Sequence, residues 1–134
     1  MLLTVKKNIK YYILIFLFSF LSKKTMAVQT QQVIIGSQTG DYQVSGGDDG
    51  TYVYIGENGK LNGSVKNTSP ANPGHVDIRY NGVYNTGNFG TKFGESNSYL
   101  GYVLVAKSVN GDTQLTISND FYSNNIYLEN STLQ

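Results

Sequence analysis

The sequence predicts an all-β domain, an antiparallel β-sandwich of jelly-roll or immunoglobulin-like type with about eight short strands behind an N-terminal signal peptide. Three observations predict it. Short runs rich in Val, Ile, Thr and Tyr recur between turn residues, and none carries a helical period. Three of these runs end at Asn58-Gly59, Asn81-Gly82 and Asn110-Gly111, the dipeptide that two-residue hairpins favour. No crossover helix separates the runs, and parallel strands ordinarily need a long crossover.

Residues 1–27 read as a targeting segment. Lys6, Lys7 and Lys10 form a basic start, and the apolar run over residues 11–21 is well short of the roughly 20 residues that cross a bilayer as a helix. Thr25 and Ala27 supply the small residues before a cut, so the mature chain is expected to begin at Val28 as a single domain over residues 28–134. Lys23 and Lys24, unusual so near a cleavage site, make an uncleaved anchor the rival reading.

Loss of that segment reverses the charge. The whole chain is formally +1, whereas residues 28–134 keep Lys60, Lys66, Arg79, Lys92 and Lys107 against nine carboxylates, a net charge of −4. A mildly acidic domain without a basic stripe is a poor partner for nucleic acid, whose binding rests on phosphate neutralisation. It also lacks the cationic face that draws proteins to anionic lipid. The chain has no cysteine, so packing alone must hold the fold.

The strands are expected in order at residues 32–35, 42–45, 51–56, 61–68, 75–80 and 83–85, with the Pro-containing loop 69–74 between two of them. Around Asn58-Gly59 a hairpin would place Glu57 opposite Lys60. Residues 99–120 form the strongest hairpin signal, with Asn110-Gly111 at its tip. Its inward pairs would be Tyr102 with Asn119, Leu104 with Ile117 and Ala106 with Leu115. A final hairpin is expected over residues 121–128.

The chemistry-bearing residues are few. His75 is the only histidine, and alternation sets it on the same strand face as Asp77, but no serine sits in a nucleophile-elbow motif. Asp41, Asp48 and Asp49 among Gly46, Gly47 and Gly50 make the one weak Ca²⁺ candidate, and no transition-metal site or cofactor is expected. The glycines do not form a phosphate-binding loop followed by a helix.

Tyrosine is the main compositional signal. With Ser, Gly and Asn it makes adaptable recognition surfaces, and it also suits sheet packing. The binding residues expected are Tyr84, Tyr99 and Arg79, with Phe89 and Phe93 from the Gly-rich segment 86–97. These residues point to a secreted or envelope, non-catalytic binding module for a glycan or protein at a cell surface. A small membrane-active β-sandwich toxin using Phe89 and Phe93, or a self-assembling envelope component, is the alternative expectation.

Overall fold

A computed structural model describes residues 28–134, and the expected leader lies outside the described residues. The fold is all-β, but it is a β-solenoid rather than an antiparallel sandwich: every ladder between strands is parallel. The strands are β1 (Thr30–Ile34), β2 (Ser37–Thr39), β3 (Tyr42–Val44), β4 (Thr51–Ile55), β5 (Lys60–Asn67), β6 (His75–Ile78) and β7 (Gly82–Asn85). After helix α1 (Thr86–Phe89) come β8 (Thr91–Phe93), β9 (Tyr102–Ala106), β10 (Thr113–Thr116), β11 (Ile126–Glu129) and β12 (Thr132–Leu133). Among the described residues no helix is long and apolar enough to cross a membrane.

Each coil of the solenoid gives one strand to a five-stranded sheet in the order β1-β4-β6-β9-β11. The rest of the coil runs through the two smaller sheets, β2-β5-β3 with β8 on β5, and β12-β10-β7. The crossover that parallel pairing needs is therefore supplied by strands of other sheets instead of by a helix. The Asn-Gly pairs accordingly turn corners and do not reverse the chain. Asn58-Gly59 leads from β4 to β5, Asn81-Gly82 from β6 to β7, and Asn110-Gly111 lies between β9 and β10. Glu57 does not pair with Lys60 as a hairpin requires. Its carboxylate instead accepts from the Asn110 backbone N–H at 2.9 Å and from the Asn110 side-chain amide at 2.8 Å, tying two corners together.

The core consists of columns of in-register side chains. Ile34, Ile55, Ile78 and Val105 form one, and Val53, Val76 and Val103 a second, all fully buried. A third runs Tyr42, Val65, Phe93 and Phe121. The 99–120 hairpin is thereby corrected: β9 and β10 lie in different sheets, and Val103 and Val105 point inward while Tyr102 and Leu104 lie on the outer face. On the five-stranded sheet coil length varies from 21 residues (Gln32 to Val53) to 27 (Val76 to Val103), and on the smaller sheets from 18 (Gln114 to Thr132) to 31 (Gly82 to Thr113).

The longest coil holds α1, whose N-cap Asn85 accepts from the Asn88 N–H at 3.0 Å. This insertion keeps β7 off β5, and side chains take over the ladder's role. The Leu61 N–H donates to the Tyr84 hydroxyl at 3.3 Å, and the Thr91 hydroxyl donates to the Leu61 carbonyl at 2.5 Å. Tyr84 and Thr91 also bond each other at 2.8 Å, so these buried polar groups are satisfied. The two ends of the solenoid differ. In the first coil, Gln32 donates to the Gln43 carbonyl at 2.7 Å and Gln38 accepts from the Tyr42 hydroxyl at 2.5 Å. In the last, Leu128 and Leu133 continue core columns yet stay 48% and 39% exposed.

Candidate functional site

Parallel stacking makes every outward side chain the neighbour of its counterpart one coil on, and this builds two distinct surfaces. On the five-stranded sheet, Tyr52, His75 and Tyr102 fall in one outward column. Their rings stack at 4.6 Å and 4.3 Å, within 12° and 14° of parallel. Face-to-face rings occupy each other's faces and leave edges to solvent, so this column braces the sheet and offers no flat platform. Asp77 lies in the adjoining column, with Arg79 Nε 3.3 Å from its Oδ2. Its Oδ1 is buried without a hydrogen-bond partner.

Burial sets the titration of this face. Partial desolvation pulls the His75 imidazole below its usual 6.5 and pushes the Asp77 carboxyl above its usual 3.8, the latter against the opposing pull of Arg79. A histidine with a lowered folded value binds its proton more readily when unfolded. Its neutral form costs nothing above about pH 6.5, and stability is lost as pH falls through 6.5 toward the folded value. Asp77 acts with the opposite sign, since stability is gained as pH falls through its raised value toward 3.8. The urea midpoint is therefore expected to drop as pH is lowered just below 6.5, and His75→Gln should flatten that drop. An identical drop in the variant would assign it to another group.

The second surface is a groove of about 530 Å³ lined by Ser64, Lys66, Lys92, Glu95, Asp120 and Tyr122 among others. Strands β5 and β8 form its floor, since Ser64 is in register with Lys92 and Phe93 bridges Phe121 on the following coil. This puts Lys92 and Asp120 on neighbouring coils facing the same way. A short turn forms one wall, closed by the Glu95 N–H to the Ser98 carbonyl at 3.2 Å and the reverse bond at 3.0 Å.

Gly94 lets the chain make that turn. It lies at φ +74°, its N–H donates to the Val65 carbonyl at 2.8 Å, and a Cβ there would stand 2.1 Å from the Tyr122 carbonyl oxygen. Tyr122 in turn rests against Tyr99, ring centres 5.6 Å apart, and Tyr99 is 44% exposed.

Charge in the groove is largely matched. Lys66 sits 2.9 Å from Asp41 and 3.9 Å from Glu95. That contact and the Ser64 N–H hold the Asp41 carboxyl below its usual value, and Asp41 raises the Lys66 ammonium. Among the described residues neither Lys92 nor Asp120 forms an ion pair, so both present free polar groups.

The residues singled out in the sequence do not form one site. Tyr84 and Phe93 are fully buried, out of reach of any ligand in this structure. Phe89 is half-buried, 4.9 Å from the Tyr84 ring, with Lys60 Nζ 5.4 Å over its own. Arg79 follows β6 at the end of the five-stranded sheet, where it meets Asp77, and only Tyr99 lies beside the groove, through Tyr122. Of Asp41, Asp48 and Asp49, Asp41 is engaged by Lys66, and among the described residues no three His, Cys, Asp or Glu side chains come together. Sequence reading missed Lys92, Asp120 and Tyr122. The spacing of one coil, which carries Ser64 to Lys92 and Phe93 to Phe121, is the signal that would have found them. No family model matches the chain, and no curated protein or solved structure matches it.

Proposed function

We propose that the chain is an extracytoplasmic, non-catalytic binding module that recognises a glycan or a protein surface outside the cell through the groove beside Tyr122 and Tyr99. The observation that carries this reading is the juxtaposition, on the rigid floor of β5 and β8, of a tyrosine wall with the unpaired Lys92 and Asp120. Such a surface supplies apolar contact area and both hydrogen-bond signs at low ordering cost. The leader-like residues 1–27 support export. The toxin alternative loses its main support, because Phe93 is buried and Phe89 packs against the core rather than on an exposed aromatic loop.

The test is retention of the chain on cell-surface extracts and glycan arrays. The double variant Tyr99→Ala, Tyr122→Ala is expected to weaken retention by about tenfold or more, with an unchanged strand-type circular dichroism spectrum. Undiminished retention by the folded double variant would remove the groove from the reading.

A further inference from the structure

The groove's chemistry narrows its ligand, on the reading that it is the binding site. A polyanion needs uncommitted positive charge, and this groove has little. Lys66 is held between Asp41 and Glu95, and Lys92 stands on the coil next to Asp120. Residues 28–134 carry −4 overall, which repels a polyanion at longer range. A polycation gains as little, because Asp41 and Glu95 already face Lys66.

The groove instead offers a row of donors and acceptors along the solenoid axis: the Ser64 hydroxyl, the Lys92 ammonium and the Asp120 carboxylate, carried on backbone positions that follow one another from coil to coil at roughly 4.8 Å. The Asn97 amide, which both donates and accepts, and the Tyr122 ring complete the lining. Vicinal hydroxyls on a sugar ring both donate and accept, and each can bridge two such groups. We infer that the groove takes a neutral, hydroxyl-rich oligosaccharide, held by Lys92 and Asp120 through its hydroxyls and by Tyr122 through its apolar ring surface.

The full chain is titrated calorimetrically with neutral probes (cello-, malto-, manno- and chito-oligosaccharides) and with acidic ones (oligogalacturonate and heparin). At least one neutral probe is expected to bind, with affinity nearly constant between about 50 mM and about 500 mM salt. Lys92→Met and Asp120→Asn should each weaken that probe by about tenfold. Both side chains are exposed, so thermal melting should stay at the parent temperature.

Binding of acidic probes alone, falling steeply with salt, overturns the inference and leaves the binding-module reading in place. Groove-dependent capture of a cell-surface protein without a response to any sugar does the same. Absence of any binding that Lys92, Asp120 or Tyr122 controls overturns both.

Discussion

Phe93→Ala is expected to destabilise the domain by about 3–5 kcal/mol, a large share of the roughly 5–15 kcal/mol that holds an ordinary domain together. The ring is fully buried, in column with Val65 and Phe121, and packs edge-on to Phe121 at 5.8 Å and against Tyr84 at 6.4 Å. Its removal leaves a cavity between coils whose only neighbours are each other, and stacked repeats have no distant contacts with which to compensate. Urea unfolding of Phe93→Ala beside Phe93→Leu is the measurement, with the leucine variant recovering most of the loss. If Phe93 served a ligand, the alanine variant would remain stable and fail only in binding. A loss under about 1 kcal/mol would therefore contradict its core role.

Gly94→Ala should cost about 2–4 kcal/mol by two separable effects. The first is conformational, because φ +74° is a region that residues with a side chain rarely adopt. The second is a collision with the Tyr122 carbonyl oxygen, a backbone atom that cannot swing aside. Gly36→Ala isolates the first effect, for Gly36 has φ +65° with nothing within 4 Å of the added carbon, and about 1 kcal/mol is expected there. Equal midpoints in denaturant for the two variants would show that β8 and the segment through Tyr122 are not packed as described. Because Gly94 also lines the groove, its alanine variant should lose binding even below its melting temperature.

Both variants lie in the part of the chain that sequence reading treated least well. The segment with Phe89 and Phe93 reads as a Gly-rich connection, since glycine and asparagine dominate it and its apolar residues are few. It contains α1, β8 and a column of the core. The run from Tyr102 to Ala106 misled differently. All five residues are apolar or aromatic, so alternation cannot choose a face, and the assumed pairing with Ile117 chose the wrong one. Tyr84 illustrates a third limit. Its strand was expected, but its burial follows from the backbone of Leu61, which its hydroxyl satisfies across the gap opened by α1. The repeat itself was hidden because the coils differ in length, by six residues on the five-stranded sheet alone (Gln32 to Val53 against Val76 to Val103) and by more on the smaller ones.

By itself the sequence determined that the chain is built of short strands, where most of them lie, and where corners interrupt them. Those are local properties of β-branched and aromatic residues and of Asn-Gly pairs, and they hold whichever strand lies alongside. Only the tertiary structure decided that the strands pair in parallel with the next coil and that Lys92, Asp120 and Tyr122 share a groove. The physical reason is that an extended strand satisfies its backbone nearly as well with a parallel as with an antiparallel neighbour, so a short half-buried strand with one face inward alternates in both. An Asn-Gly corner likewise starts either a return or a new face. What selects the solenoid is the match of apolar columns 18 to 31 residues apart, a long-range sum that no single stretch of the chain carries.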